Sequence, residues 1–142
     1  MANRYTQKTI YKIDWNDFSN FGPVNDYDPC VYTMLHLPSN TVLTEDNQHM
    51  FKRLRTGKAT NIRRRLYTYT NTDPNSRNYR THNEDIVSES THVEVLRMVN
   101  MPDSTDKERY RKSLAMEELE DTLIKVSWPC YNIRQKEVVI NG

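Results

Sequence analysis

Glycine is nearly missing from this chain of 142 residues: Gly22, Gly57 and Gly142 are the three it has. No two lie within thirty residues of each other, so no glycine-rich loop can wrap a phosphate group. Alanine is as rare, at Ala2, Ala59 and Ala115. Cysteine is confined to Cys30 and Cys130, which cannot build a disulfide framework. Histidine is limited to His36, His49, His82 and His92, and no two of them have metal-ligand spacing on a shared element. No apolar run approaches the ~20 residues of a membrane span, and mean hydropathy is -0.89. Arg4, Lys8 and Lys12 interrupt any apolar core that a cleaved leader would need. None of the 14 asparagines stands in Asn-x-Ser/Thr. Together these absences favour an intracellular or virion-bound chain, not one secreted through a cleaved signal peptide.

What is present is polar and aromatic. Fourteen Asn, fourteen Thr and nine Tyr stand beside only 29 Leu, Ile, Val and Phe. That is about one residue in five, near the composition at which chains stop folding. The near-zero net charge of +1, with two Trp, nine Tyr and six Met, restores enough apolar area for a thin core. The length suits one domain spanning 1–142.

The pattern of residues predicts an α+β fold, mostly antiparallel sheet with one long and one shorter helix. Residues 5–13, 30–37 and 91–99 read as strands from their β-branched and aromatic content. Residues 14–29 hold Trp15, Phe18, Phe21 and Tyr27 among turn-forming Asn, Asp, Gly and Pro, and read as an irregular arm. Thr44 as N-cap, Met50, Phe51 and Leu54 on one face and Gly57 as terminator predict a short helix over about 45–56. Residues 60–70 read as a strand, with Ile62, Arg64 and Leu66 on one face and Arg63, Arg65, Tyr67 and Tyr69 on the other. A turn at 71–76, a returning strand at 77–82 and an acidic loop at 83–90 follow. Asp103 or Ser104 is expected to cap a helix over about 105–125, whose charged first half, 106–113, should project outward. Residues 124–128 and 131–140 read as closing strand material.

The net charge conceals a segregation. Residues 50–82 hold nine bases and one acid, a block of +8, whereas residues 83–121 hold eleven acids and five bases, a block of -6. Such blocks complement each other within one subunit or across subunits, or the basic one meets nucleic acid, or Arg63–Arg65 simply fill a solvated strand face with their stems over tyrosine rings. On the second reading Arg53, Arg55, Arg63, Arg64, Arg65, Tyr67 and Tyr69 form the surface, with phosphates on the arginines and bases stacked on the rings.

No catalytic constellation is apparent. The acid pairs Glu117-Glu118 and Glu120-Asp121 read as a solvated helix face. Nothing local activates Cys30 or Cys130 as a nucleophile. Arg109–Ser113 matches a basophilic kinase site, a pattern common by chance. The expectation is therefore a non-enzymatic structural or assembly subunit of a homo-oligomeric or virus or phage particle. It would bind copies of itself or other subunits through Trp15, Phe18, Phe21 and Tyr27 and through its charged surfaces. The alternative is a small nucleic-acid-binding domain. No cofactor, metal, membrane or small-molecule substrate is expected.

Overall fold

The computed structural model describes residues 6–38, 41–70, 75, 82–127 and 129–132. Among them stand four strands, β1 (Thr6–Lys12), β2 (Cys30–His36), β3 (Lys52–Ala59) and β4 (His92–Met98), and three helices, α1 (Ile62–Tyr69), α2 (Asn83–Glu89) and α3 (Asp106–Ser127). The strands form one antiparallel sheet in the order β1-β4-β2-β3. The fold is α+β, with a long last helix, as the composition and pattern predicted.

Alternation along the strands assigns each face a different cover. Tyr32, Met34, Val93 and Val95 face Ile62, Leu66 and Tyr69 of α1, Ile86 of α2, and Ile13, Phe18 and Phe21 of the arm. Val31, Leu96 and Met98 face Ala115 and Met116 of α3. The residues between, Thr33 and Glu94, are polar but 0% and 4% exposed. Thr33 meets Thr56 hydroxyl to hydroxyl at 2.8 Å, so neither oxygen is left dry and unpaired.

Two elements are interchanged relative to expectation. The short helix over 45–56 is not there: a single turn at Gln48–Met50 leads into strand β3. The strand over 60–70 is helix α1. Asn61 decides it, because its side chain accepts a hydrogen bond from the Arg64 N–H at 3.0 Å. Such a cap stabilises a helix start by about 1 kcal/mol. The Asn61 carboxamide also donates to the carbonyls of Pro23 and Asp26, at 2.8 and 3.0 Å, which ties the helix start to the arm. Residues expected as an acidic loop form α2, and 124–127 extend α3 instead of starting a strand. Tyr131 and Asn132 lie in a turn. The returning strand, apart from His82, and the closing stretch 133–140 fall outside the described residues.

Helix α3 is capped one residue later than predicted. Thr105 accepts from the Glu108 N–H at 3.1 Å, and the Glu108 carboxylate accepts from the Ser104 and Thr105 N–H groups at 3.1 Å. This reciprocal box satisfies three otherwise open donors. The first half of α3 is not wholly outward: Lys112 is 8% exposed and paired with Asp103 at 3.1 Å. No described helix is long and apolar enough to cross a membrane.

Candidate active site

Strand β3 is bulged. Arg55 pairs with Met34 and Arg53 with Leu35, so Leu54 is an extra residue with no partner on β2. A bulge bends the strand and re-aims the side chains beside it. Leu54 enters the core, and Arg55, Thr56, Gly57 and Lys58 line a cavity of about 250 Å³ at the outer side of the sheet. Tyr32 from β2, Arg65 from α1, Glu120 from α3 and Asn132 complete its walls. Five separate parts of the chain thus converge on one concavity, the usual form of a ligand or active site.

Each wall is braced. The Asn132 carboxamide accepts from the Thr56 N–H at 2.7 Å and donates to the Thr56 carbonyl at 2.8 Å. The Tyr131 and Cys130 N–H groups reach the Leu54 and Arg53 carbonyls at 2.8 and 3.3 Å. Tyr32 and Tyr69 share a hydrogen bond of 2.7 Å between their hydroxyls, and both are 3% exposed. Gly57 is the reason the Tyr32 ring fits: a Cβ there would sit 2.6 Å from the Tyr32 hydroxyl. Arg65 donates to the Lys58 carbonyl at 3.2 Å. Lys58 itself reaches across to α3, 2.9 Å from Glu117 and 3.0 Å from the Ser113 hydroxyl.

The electrostatics are uneven. Glu120 is half-buried, and desolvation pushes its carboxyl above the ordinary carboxylate range; Lys58 and Arg65 oppose this, while Asp121 and Glu117 add to it. Burial raises the Tyr32 phenol well above its ordinary value, with Tyr69 contributing, so it stays protonated at neutral pH. Arg55 is half-buried and has no hydrogen bond or ion pair to any described residue.

A second cavity, of about 230 Å³, lies further along β3 and is lined by Lys8, Ile10, Leu35, Gln48, His49, Phe51, Arg53 and Glu94. Here Arg53 is closed by an ion pair: it makes two bonds of 3.3 Å to the two oxygens of buried Glu94, while Lys8 donates to the neutral Gln48 amide at 2.8 Å.

The residues singled out from the sequence scatter. Arg55 and Arg65 line the first cavity, and Tyr69 supports it through Tyr32. Arg53 lines the second. Arg63 and Arg64 donate to the Gly22 and Val24 carbonyls, both at 3.0 Å, and so fasten the arm to α1. Tyr67 is 47% exposed, its ring edge-on to Phe18 at 4.8 Å. Within the arm, Phe18 and Phe21 are core residues and Trp15 packs beside them, donating to the Ser90 carbonyl at 3.4 Å. Tyr27 is 38% exposed with the Arg109 guanidinium 4.4 Å above its ring. Cys30 is buried, its thiol pushed up to about 12, and Cys130 is exposed; both are free thiols. Tyr32, Gly57, Lys58, Glu120 and Asn132 line the cavity with no sequence spacing that groups them. Glu120, expected on a solvated helix face, is half-buried beside exposed Glu117, Glu118 and Asp121.

No family model and no curated protein matches the chain. Among solved structures it is similar to the GIY-YIG N-terminal endonuclease domain of UvrC from Thermotoga maritima bound to its catalytic magnesium, at 23% identity, covering 75% of this chain and 85% of that one, with a TM-score of 0.44. It is also similar to a tyrosine-to-phenylalanine and an asparagine-to-alanine variant of that domain, each bound to the catalytic divalent cation, at 20% identity, 76% and 86% coverage and a TM-score of 0.44. The expected non-enzymatic subunit of a virus or phage particle is corrected: the structures found similar are endonuclease domains bound to a catalytic cation, and none is a particle subunit. The molecule gives the physical reason for the correction. Two of the four aromatics expected at an interface are buried in the chain's own core, and charged and hydroxyl groups converge on a cavity that sequence spacing could not reveal.

Proposed function

We propose that this chain is a divalent-cation-dependent phosphodiesterase that cuts nucleic acid, with the cavity at β3 as its active site. One observation carries the reading: a single desolvated carboxylate, Glu120, shares a cavity with Arg65, Lys58 and the buried phenol of Tyr32. Two core clusters on opposite faces of one sheet support treating the described residues as one domain.

The donor set suits a hard cation. Among the described residues no group of three or more His, Cys, Asp or Glu forms a metal cage. Magnesium does not need one, because it is held through one or two carboxylates and keeps its remaining positions for water and substrate phosphate. Glu120 would hold it, and a carboxylate short of solvent is itself stabilised by a cation. A bound divalent cation would polarise the phosphoryl oxygen and offset charge on the leaving oxygen.

The chain's own groups supply the remainder. Arg65, with one donor fixed on the Lys58 carbonyl, lines the cavity and brings to it a positive charge that can offset charge growing on the phosphate. Tyr32, protonated and hydrogen-bonded to Tyr69, can order a water or pass a proton through the paired hydroxyls. Asn132 holds the strand bearing Thr56 and Gly57 in place.

The test is cleavage of supercoiled plasmid DNA by the purified chain with magnesium. We expect nicked and linear products, none with excess chelator, and a loss of ~10²–10³-fold for Glu120→Gln. Equal cleavage by Glu120→Gln, or none by the native chain with any divalent cation, overturns the reading.

A further inference from the structure

Five arginines stand in the basic stretch from Arg53 to Arg65, and four of them already have acceptors. Arg53 is held by Glu94, Arg63 by the Gly22 carbonyl, Arg64 by the Val24 carbonyl and Arg65 by the Lys58 carbonyl. Arg55 has no acceptor among the described residues, yet it is half-buried in the wall of the cavity that holds Glu120. A guanidinium in that position has given up part of its hydration without a carboxylate or carbonyl among the described residues in exchange. Its placement follows from the backbone: the extra residue Leu54 at the bulge puts Arg55 opposite Met34, on the sheet face that bears Tyr32. Its charge reaches the Tyr32 phenol, where it opposes the effect of burial.

We infer that Arg55 is a catalytic residue that grips the phosphate under attack, presenting its fork to two non-bridging oxygens. The inference rests on the phosphodiesterase reading and adds the ligand group and the residue that recognises it. The chemistry fits: a planar guanidinium matches phosphate in a two-point contact that an ammonium cannot make. Lys58, the other base on this stretch of β3, is partly neutralised by Glu117, and Arg65 spends one donor on the Lys58 carbonyl, whereas Arg55 has all its donors open among the described residues.

The experiment compares native chain, Arg55→Lys, Arg55→Ala and Glu120→Gln on a fluorescent DNA duplex with magnesium, reading kcat and KM separately. Binding is read in the Glu120→Gln background, where the duplex stays intact. A shift of the charge contact from binding to reaction predicts kcat down ~10²-fold in Arg55→Ala and ~10-fold in Arg55→Lys, with KM and duplex affinity within about threefold. Millimolar guanidinium should restore part of the Arg55→Ala rate. Lys107→Ala, an exposed lysine on α3, serves as the control for loss of one positive charge and should leave kcat unchanged. Circular dichroism and thermal midpoints establish that each variant is folded. An Arg55→Ala kcat within about threefold of native, or a loss that appears wholly as weaker duplex binding, overturns the assignment. If instead Glu120→Gln cleaves like the native chain, it is the phosphodiesterase reading that falls, so the two failures are told apart.

Discussion

Arg53 and Arg55 stand two residues apart on β3, and the bulge between them turns them toward different cavities. Around Arg53 the charges cancel within the protein: Glu94 lies under it, buried, and takes both of its terminal nitrogens. Around Arg55 they do not. The one acid there, Glu120, is held above its ordinary range by lost hydration, and the guanidinium has no described acceptor. A closed pair in a low-dielectric setting fixes the fold and offers little to a ligand. An open set of charges is a liability to the fold that a ligand relieves. Two cavities of similar size on the same strand therefore differ in charge pairing, and size alone would not have separated them.

The largest effect should come from the open cavity. Glu120 must be ionised to hold a cation, and its folded value lies above the usual carboxylate value. Cleavage should therefore rise with pH over a window displaced upward from ordinary carboxylate titration. The stability sign is opposite. A carboxyl raised in the folded state favours folding while protonated, and that contribution is lost as pH rises through the folded value. Glu120→Gln should thus cost ~10²–10³-fold in cleavage and also raise the thermal midpoint at neutral pH, read by calorimetry. A lower midpoint would show Glu120 to be a structural partner instead.

Next in size is the closed pair. Glu94→Gln leaves Arg53 facing a buried neutral amide and should destabilise the chain by roughly 2–4 kcal/mol in urea unfolding, with cleavage per folded molecule unchanged. A drop in kcat would join the two cavities into one functional unit. Gly57→Ala follows, at about 1–3 kcal/mol, the usual range for an overpacked core. Its methyl group would displace the Tyr32 hydroxyl and break the pair with Tyr69, so cleavage should fall as well. The smallest change is expected for Arg64→Ala, within ~0.5 kcal/mol as for exposed positions generally. Its bond to Val24 lies at the surface, and a large loss of activity there would reopen α1 as a nucleic-acid surface.

How much of this the sequence disclosed depends on period. Strands β2 and β4 are runs rich in β-branched and apolar residues and α3 follows a strong capping signal, so each lies within about two residues of its expected bounds. In α1, Ile62 and Leu66 share a face under both a two-residue and a helical repeat, so they could not discriminate. The deciding residue is Tyr69, buried with them, which only the helical repeat places there. Conversely, Gly57 looked like a helix terminator and is instead a strand glycine that makes room for a phenol. The candidate site was less legible still. Tyr32, Arg55, Lys58, Arg65, Glu120 and Asn132 come from parts of the chain separated by up to a hundred residues, and no local spacing links them. Only the basic members, Arg55 and Arg65, were flagged, through block charge.

The short run from Cys130 to Asn132 has one more consequence. A sheet of four strands ends in two open margins, and each can recruit a stray strand from another molecule. At β1 the exposed lysines Lys8 and Lys12 make such pairing unfavourable. At β3 the main-chain groups of Arg53, Leu54 and Thr56 are already occupied by residues 130–132. The same short run, whose Asn132 closes one wall of the cavity, also denies β3 as a template for strand addition, so loosening it would be expected to promote self-association as well as to open the site.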